Sequence, residues 1–438
     1  MRQYASYAAT GSQWLDSIPA HWKMGRLDYV ARAWPSSVDK HSVEGELPVR
    51  LCNYTDVYKN DVIADGIPFM SATATAEQVE RFRIKIGDTI ITKDSETADD
   101  IGIPAFVDYE ADDLVCGYHL SIVRPDPTGV FPKYLFWALR AQPTLGQWEV
   151  LASGVTRVGL RSGDVSKAAL ALPPIDEQRA IADYLDRETA RIDTLIEEQQ
   201  RLIETLRERW HAQVDHAVWS GIDGDAPKVP APIEPAPDVP MHWRVLRNKN
   251  LLCESTAVSA GAGGELLSVS HLTGITPRSE KNVTMIESEN LDGYRLVEPG
   301  DLVINTMWAW MGALGVSRLA GIVSPAYGVY RPSPGAEFHP PYFDYLYRSR
   351  PYVVEMTRFS RGIWSSRLRI YPEVFLRLNI VVPPLDEQRR IADYLDEQTA
   401  KIDTLIAETE TFIELARERR SALITAAVTG QIDVRGAA

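Results

Sequence analysis

Cysteine is scarce in this chain of 438 residues, with only Cys52, Cys116 and Cys253. The three residues are widely separated and odd in number, so they can form neither a disulfide framework nor a C-x-x-C metal site. We therefore expect a reduced, cytoplasmic environment and no metal site.

Long apolar runs are also missing. The longest stretch without a charged residue, 302–317, falls short of the ~18 apolar residues that a membrane span needs. Residues 1–13 lack the basic-then-apolar order of a secretory signal. The sequence thus predicts a soluble cytoplasmic protein without a membrane partner.

Common catalytic signatures are absent as well. The sequence contains no G-x-x-x-x-G-K-[ST], H-E-x-x-H or G-x-S-x-G motif, which would indicate an ATPase, a zinc hydrolase or a serine hydrolase. His339 precedes Pro-Pro-Tyr where amino-methyltransferases have Asp or Asn, so a self-contained methyltransferase is not expected either. We predict no catalytic residue and no cofactor bound by this chain.

Positive charge is in deficit, because the formal net charge is −14. An acidic chain is a poor candidate for unfocused, polycation-type binding of nucleic acid, although a locally basic face remains compatible with it. The distribution of the charge therefore matters more than its sum.

An internal repeat is the most informative feature that the sequence does contain. Segment 173–196 begins Pro-Pro-Ile-Asp-Glu-Gln-Arg and continues through Ile-Ala-Asp-Tyr-Leu-Asp, and nearly the same text returns 210 residues later at 383–406. Unrelated amphipathic helices do not share so many positions. The chain is therefore read as a tandem duplication.

Each copy of the repeat predicts a helix of about 45 residues, a rod of roughly 65 Å. Asp176 and Asp386 are the N-cap candidates, and Gly221 and Gly430 mark the predicted ends. The apolar residues keep a 3-4 spacing, which predicts a coiled-coil seam. The predicted seam residues are Ile181, Leu185, Ile192, Leu195, Leu202 and Leu206, and then Ile391, Leu395, Ile402, Leu405, Phe412 and Leu423. Because such a rod is unstable alone in water, each copy should pair with the other.

A globular segment precedes each helix. Both segments open with a His-Trp pair, at 21–22 and 242–243, and both carry a Gly-Asp run before a strand-like stretch, at 87–91 and 300–304. Short β-branched runs between Gly, Pro and Asp predict strands in both. The His-Trp pairs form no metal spacing and are interpreted as a repeated structural anchor.

The predicted segments and fold class follow from this order. The segments are a globular segment at 1–172, a helix at 173–221, a Pro-rich linker at 222–240, a second globular segment at 241–382 and a helix at 383–438. The six prolines at 226–240 predict a polyproline II connector. The fold class is α+β: two mixed α/β domains joined by two long helices that form an antiparallel intramolecular coiled coil, with a pseudo-two-fold axis.

Arginines cluster in the second globular segment, which alone among the segments has a net positive charge. Between 348 and 369 there are six arginines interleaved with aromatic residues and one acid, Glu355. Such a cluster is typical of a surface for phosphates and base edges. A weaker basic stretch, 157–167, lies at the equivalent distance before the first Pro-Pro, whereas the acidic stretch 94–100 makes direct DNA contact by that loop doubtful.

The repeated Pro-Pro-x-Asp-Glu-Gln-Arg-x-Ile element, with an unlike globular domain before each copy, resembles the specificity subunit of type I restriction-modification systems. The resemblance covers essentially the whole chain. It implies two target-recognition domains that each read one half of a bipartite, asymmetric sequence in double-stranded DNA. It also implies that the paired helices dock two modification (methyltransferase) subunits, with restriction (translocase/nuclease) subunits as further partners. S-adenosylmethionine and ATP with Mg²⁺ would be bound by those partners.

The candidate site residues are assigned on the sequence alone. The predicted DNA-binding residues are Lys59, Lys93, Arg157 and Arg161 in the first domain and Arg278, Lys281, Trp308, Trp310, Arg358, Arg361, Trp364 and Arg367 in the second. The predicted capping or subunit-docking residues are Gln178, Arg179, Gln388 and Arg389. Trp308 and Trp310 are equally consistent with core packing, and each isolated lysine with a plain surface cation.

Two alternative functions stay open at this point. One is a self-contained DNA-modifying enzyme, which would act without partner subunits. The other is a coiled-coil interaction protein without a nucleic-acid role, for which binding to DNA would show no dependence on salt.

Overall fold

The structure is a computed structural model that describes residues 3–259, 264–280, 291–362 and 368–436. Its contacts divide the chain into two compact units. Unit 1 comprises Met1–Gln199 and Thr411–Ala438, and unit 2 comprises Gln200–Glu410. Both long helices continue from one unit into the other, so the segment boundaries predicted from sequence stay predictions.

Unit 1 contains a five-stranded and a three-stranded sheet, short two-stranded ladders and five short helices. The strands are β1 (Tyr7–Ser12), β2 (Leu15–Pro19), β3 (Lys23–Arg26), β4 (Ala31–Pro35), β5 (Leu47–Cys52), β6 (Val62–Ile63), β7 (Met70–Ala74), β8 (Thr89–Thr92), β9 (Asp94–Ser95), β10 (Pro104–Val107), β11 (Leu114–Cys116), β12 (Leu120–Pro125), β13 (Val158–Gly159) and β14 (Ala169–Leu172). The short helices are α1 (Tyr54–Lys59), α2 (Ala76–Phe82), α3 (Pro132–Arg140), α4 (Gln142–Leu151) and α5 (Ser162–Ser166), and the first long helix is α6 (Ile175–Ser220).

The described residues of unit 2 form a four-stranded sheet, short two-stranded ladders and three short helices. The strands are β15 (Lys228–Val229), β16 (Val239–Pro240), β17 (Arg244–Arg247), β18 (Leu252–Glu254), β19 (Leu267–Ser270), β20 (Gly274–Pro277), β21 (Arg295–Val297), β22 (Leu302–Ile304), β23 (Leu314–Val316), β24 (Gly321–Val323), β25 (Gly328–Pro332) and β26 (Asn379–Val382). The helices are α7 (Pro340–Arg348), α8 (Arg350–Phe359), α9 (Pro372–Phe375) and the second long helix α10 (Leu385–Val428).

The two units repeat one arrangement of strands. The main sheet of unit 1 has the order β4-β12-β8-β10-β6, and that of unit 2 has the order β18-β25-β22-β23. The ladder β3–β14 in unit 1 likewise corresponds to β17–β26 in unit 2. Each main sheet is followed by a pair of helices, α3–α4 or α7–α8, and then by a short helix. The duplication read from the helices therefore extends through the globular parts, where the sequences have diverged.

A buried aspartate explains why the Gly-Asp run occurs in both units. Asp88 accepts two hydrogen bonds from the Arg124 guanidinium, at 2.7 Å each, and Asp301 accepts the same pair from Arg331, at 2.9 Å each. Both aspartates are 1% exposed. The pair joins β12 to the residue before β8 in unit 1, and β25 to the residue before β22 in unit 2.

The two long helices have 46 and 44 residues, close to the predicted length. Each unit contains the first part of one long helix and the last part of the other. In unit 1, Arg420 Nε near the end of α10 lies 2.9 Å from Asp193 Oδ1 in the first half of α6. In unit 2, Trp210 Nε1 near the end of α6 donates to Thr399 Oγ1 near the start of α10, at 2.9 Å. The helices thus run antiparallel, and the predicted fold class is confirmed.

The predicted helix boundaries are close to those of the structure. Gly221 and Gly430 follow the helix ends with φ of 75° and 73°, the left-handed conformation that a glycine adopts at a C-terminus. The N-cap prediction is wrong by two positions, because the helices begin at Ile175 and Leu385. Asp176 and Asp386 therefore lie inside the first turn, where the helix dipole favours their charge.

The predicted seam is only partly correct. Ile181, Leu185 and Ile192 are buried in α6, as are Ile391, Leu395, Ile402 and Leu423 in α10. Four other members are exposed, namely Leu195, Leu202, Leu405 and Phe412. Ile196 and Ile203, each one residue further on in α6, are buried instead. The 3-4 spacing was satisfied by two neighbouring apolar stripes, and only one of them faces the core.

The proline-rich connector also differs from the prediction. Lys228 pairs with Pro240 and Val229 with Val239, so the segment folds back on itself in a short antiparallel ladder. Ile233 and Val239 are buried in the core of unit 2. The connector is thus not a polyproline II rod. Folding back removes the apolar surface of these two residues from water, which an extended rod would leave exposed.

Among the described residues, no helix has the length and apolar character that a membrane span requires.

Candidate nucleic-acid interface

Three loops meet at equivalent places in the two main sheets. In unit 1 these are 93–101, 117–119 and 152–161, which we call edge 1. In unit 2 they are 305–313, 324–327 and the described parts of a third segment, 358–362 and 368–371, which includes the last turn of α8; we call this set edge 2. In both units the first loop follows the same strand, β8 or β22, and the third begins at the end of the second helix of the pair, α4 or α8.

Backbone hydrogen bonds hold each set of loops together. In edge 1, β9 pairs with β13, and the Lys93 N–H donates to the His119 carbonyl at 3.0 Å. In edge 2, the Ile370 N–H donates to the Thr306 carbonyl at 3.3 Å, and Thr306 Oγ1 donates to the Ala326 carbonyl at 2.8 Å. Segments distant in sequence therefore present one continuous surface in each unit.

Edge 1 brings together two of the predicted DNA-binding residues, Lys93 and Arg157, through a chain of side chains. Lys93 Nζ lies 2.6 Å from Asp94 Oδ2, and the same oxygen lies 2.9 Å from His119 Nδ1. His119 Nε2 in turn lies 3.3 Å from Arg157 Nη1. Asp94 thus compensates the positive charge of Lys93, whereas the Arg157 side chain is exposed to solvent.

A pair of tyrosines forms the other wall of a cleft in edge 1, with a volume of about 470 Å³. Tyr54 and Tyr58 lie one turn apart on α1 with their rings stacked, 5.5 Å between centroids. A hydrogen bond to Asp100 and partial burial raise the pKa of Tyr58, so its phenol stays protonated. Lys59 is exposed at the end of the same helix. Sequence reasoning missed the tyrosines, although their spacing of four on a short helix was visible.

Edge 2 has the opposite electrostatic character. Arg361 and Arg369 face each other in an antiparallel bridge and exchange both backbone hydrogen bonds, at 2.9 Å each. Both side chains are exposed, as is that of Arg358 in the last turn of α8. Like charges placed directly opposite each other repel, so this arrangement favours a polyanion that lies across both.

The two tryptophans of edge 2 lie in its first loop. The Trp308 and Trp310 rings are stacked with 6.1 Å between centroids, and Trp308 is about half exposed. The loop contacts α8, because Thr357 Oγ1 donates to the Trp310 carbonyl at 3.1 Å. The structure therefore brings Trp308, Trp310, Arg358 and Arg361 to the same edge of unit 2, and core packing accounts for Trp310 more than for Trp308.

The remaining predicted residues lie at the margins of these edges. Arg161 is exposed and immediately precedes α5, and Arg278 begins a short turn after β20. Lys281, Trp364 and Arg367 lie outside the described residues. Arg348, part of the arginine cluster, belongs to the framework, because it bonds the Leu272 carbonyl at 3.0 Å and lies 3.5 Å from Asp344.

Two of the residues predicted for capping or subunit docking are buried. Gln178 and Gln388 are 2% and 0% exposed. The amide oxygen of Gln178 accepts from the Phe131 N–H at 2.7 Å, and that of Gln388 from the His339 N–H at 2.9 Å. Each glutamine thus joins the start of a long helix to the start of α3 or α7, the first helix of the helix pair in its unit, which agrees with the capping alternative. Arg179 and Arg389, the next residues along, are exposed.

The repeated His-Trp pairs act as the predicted anchors. His21 Nε2 lies 2.9 Å from Glu177 Oε2, and His242 Nε2 lies 2.7 Å from Glu387 Oε1. Trp243 Nε1 also donates to Glu387, at 2.9 Å. In each unit the start of the globular part is therefore joined to the first turn of its long helix.

Comparison with known proteins agrees with this arrangement. Residues 45–205 match the family model of the type I restriction modification DNA specificity domain. The chain is 27% identical over 131 residues to a putative type I restriction enzyme MjaX specificity subunit of Methanocaldococcus jannaschii, and the match spans 30% of each protein.

Two solved structures share the fold over nearly the whole chain. One comes from work on complex assembly and conformational transition of the type I R-M system, with a TM-score of 0.67 and 18% identity, and it covers 95% of this chain and 99% of that one. The other is the HsdS subunit of Thermoanaerobacter tengcongensis, with a TM-score of 0.51 and 17% identity over 95% and 98% of the two chains.

Residues 45–205 are thus similar in sequence to the type I DNA specificity domain, and unit 2 repeats the strand order of unit 1. The chain is similar to type I restriction-modification specificity subunits, in sequence over part of its length and in fold over nearly all of it. The alternatives of a self-contained modifying enzyme and of a coiled-coil protein without a nucleic-acid role have no support.

Proposed function

We propose that the chain is the sequence-specific DNA-recognition subunit of a type I restriction-modification complex, with each edge reading one half of a bipartite site in double-stranded DNA. The observation that carries the proposal is the pair of equivalent edges on one repeated scaffold. Edge 2 presents Arg358, Arg361 and Arg369 beside an exposed tryptophan, whereas the cleft of edge 1 presents Arg157 among carboxylates and tyrosines. Unlike edges recognise unlike half-sites, so the site is asymmetric.

Two modification subunits are the proposed partners of the long helices, because exposed apolar side chains recur at equivalent positions of the repeat. Leu195 corresponds to Leu405 and Leu202 to Phe412, and all four are between 37% and 47% exposed. Exposed apolar residues repeated on two helices offer the same surface twice. A partner that binds one copy therefore fits the other.

The chemistry of modification belongs to those partners in this proposal. Methyl transfer from S-adenosylmethionine, and cleavage driven by ATP with Mg²⁺ where a restriction subunit is present, would occur on the partner subunits. This chain would be non-catalytic and would act in the cytoplasm, where its DNA target is. Because the chain connects the two half-site readers, their two moderate affinities multiply, and this raises the affinity for the complete site.

The arginine pair of edge 2 provides a direct test of DNA binding. We expect Arg361→Ala/Arg369→Ala, in the complex with modification subunits, to weaken binding to target DNA about 10- to 100-fold and to lower the slope of log K against log salt by about two. The melting temperature should not fall, because the substitution removes a repulsion between like charges. Binding is measured by fluorescence anisotropy across a salt series.

The matched control replaces two exposed arginines that already have carboxylate partners. Arg244 pairs with Glu337, and Arg390 lies 2.8 Å from Asp223. Arg244→Ala/Arg390→Ala should leave the salt slope unchanged. If both double variants behaved alike, edge 2 would not be the DNA-binding surface.

The docking surface gives a second test, by stoichiometry. Leu195→Asp or Leu405→Asp alone should each reduce the complex from two modification subunits to one, and the double variant should bind none, because a carboxylate cannot be buried against an apolar partner. Native mass spectrometry counts the bound subunits. Leu415→Asp is the control, because Leu415 is 58% exposed but its repeat counterpart is Thr205. If the Leu195→Asp/Leu405→Asp variant still bound two modification subunits, the docking surface would lie elsewhere on the chain.

A further inference from the structure

The acidic character of edge 1 needs an explanation if this edge meets DNA. Its cleft is lined by Asp94, Glu96 and Asp100 together with Arg157. Lys93 already neutralises Asp94, which leaves two carboxylates beside one guanidinium. A phosphate placed here would meet both carboxylates at close range and be repelled. The cleft is therefore a poor phosphate site, although it lies on the proposed DNA surface.

A base edge fits the same groups. In the major groove a G·C pair presents two acceptors, guanine O6 and N7, beside one donor, the amino group of cytosine. An arginine donates to the two acceptors through its planar fork, and a carboxylate accepts from the amino group. Arg157 and Glu96 supply that combination, and both are exposed on the cleft.

Arg157 is held in position by its neighbours. An arginine can only donate, so His119 Nε2, at 3.3 Å, accepts from Arg157. The imidazole proton is then on Nδ1, which donates to Asp94 Oδ2 at 2.9 Å. Lys93 fixes the same carboxylate oxygen from the other side. This chain of contacts selects one tautomer of His119 and restricts the guanidinium, which lowers the entropy lost on binding.

We propose that Arg157 is the specificity-determining residue of unit 1, that it reads the guanine of a G·C pair in the major groove, and that His119 is its positioning residue. The carboxylate of Glu96 accepts from the paired cytosine. The proposal rests on the proposed function and deepens it, because it assigns one base pair of the half-site that unit 1 reads.

The test maps methylated adenines in a randomised DNA library after incubation with the full chain and its modification subunits. The unsubstituted chain should yield two half-sites, one of which contains a G·C pair. Arg157→Ala should lower methylation of G·C sites about 10- to 100-fold and make that single position degenerate, with the other half-site unchanged. Arg157→Lys should behave similarly, because an ammonium lacks the fork. Arg81→Ala, at an exposed arginine of α2 outside edge 1, should leave the consensus intact.

The positioning role of His119 has its own readout. His119→Ala should relax the selectivity for the same base pair as Arg157→Ala does. Its melting temperature should fall no further than that of the Arg81→Ala control. His119→Gln should restore part of the selectivity, because its amide oxygen can accept from Arg157. If His119→Ala lowered methylation of every sequence by the same factor, the residue would be merely structural and the positioning role would be wrong.

Failure of this assignment differs from failure of the proposed function. An Arg157→Ala complex that loses affinity uniformly for all sequences, with a salt slope reduced by about one, would identify a phosphate contact and overturn the base assignment alone. An unchanged consensus in that variant would also overturn it. A complex of the unsubstituted chain that methylated without any sequence preference would overturn the proposed function itself.

Discussion

Arg124→Met should lower the free energy of unfolding of unit 1 by about 3 kcal/mol at neutral pH. The substitution keeps most of the aliphatic stem but removes the guanidinium, which lies over the Trp34 ring and donates both hydrogen bonds to the buried Asp88. One hydrogen bond to Asp88 remains, from the Lys85 N–H at 2.9 Å. A buried carboxylate that keeps a single hydrogen-bond donor is costly, because it loses the two charge-assisted hydrogen bonds that offset its burial.

The loss should depend on pH in a defined direction. Burial raises the pKa of Asp88, and Arg124 opposes that rise, so the pKa rises further in the variant. A carboxyl whose pKa is higher in the folded than in the unfolded state destabilises the fold when ionised and ceases to do so when protonated. The deficit of Arg124→Met should therefore be largest at about pH 7.5 and smaller at about pH 5.

Hydrogen exchange of the β8 and β12 amides measures this deficit, because their protection follows the opening of the main sheet. Asp88→Asn/Arg124→Met is the control: it lacks the buried charge, so its deficit should not change between the two pH values. Arg331→Met should produce a comparable loss of protection in β22 and β25 of unit 2, since Asp301 and Arg331 form the equivalent pair. Equal exchange in Arg124→Met and the unsubstituted chain would show that the pair does not stabilise the sheet.

The long helices were predictable from sequence because their signals are local and repeated. The Pro-Pro before each helix, the glycine after it and a 3-4 apolar spacing over 40 residues lie within single stretches of chain, and each occurs twice. What the spacing could not decide was which of two apolar stripes faces inward. Leu195 and Ile196 both satisfy it, and only packing against the rest of unit 1 buries Ile196.

The glutamines show a different limit. Gln178 and Gln388 follow an acid in the first turn, a position at which polar side chains are usually solvated, and nothing nearby indicates burial. Their partners, the Phe131 and His339 N–H groups, lie some fifty residues earlier in the chain. These are unpaired N–H groups at the start of another helix, and each needs an acceptor.

Edge 1 was only half predictable for the same reason. Lys93 and Arg157 could be selected as cations, but their connection through Asp94 and His119 depends on the pairing of β9 with β13 across more than sixty residues. From sequence alone, the excess of negative charge at 94–100 argued against DNA contact by that loop. The positions of these acids beside Arg157 change the interpretation, because a carboxylate that repels phosphate can still accept from a base.

Lengthening both long helices by seven residues should abolish methylation of the original site and create a new one. The insertions follow Gln199 in α6 and Glu410 in α10, the positions at which each helix passes from one unit to the other. Seven residues add ~10 Å of helix and keep the apolar stripe nearly in phase. At ~3.4 Å per base pair, the gap between half-sites should grow by about three base pairs.

Both half-site sequences should stay the same in this variant, because no residue of edge 1 or edge 2 is altered. Mapping methylated adenines in a library with randomised gap lengths gives the result directly. Insertions of five residues at the same points serve as the control, since they turn the apolar stripe by about 140° away from its original face and should reduce folding of the helix pair rather than shift the gap. New half-sites with an unchanged gap would mean that the helices do not set the spacing, and that the edges do not read the DNA independently of them.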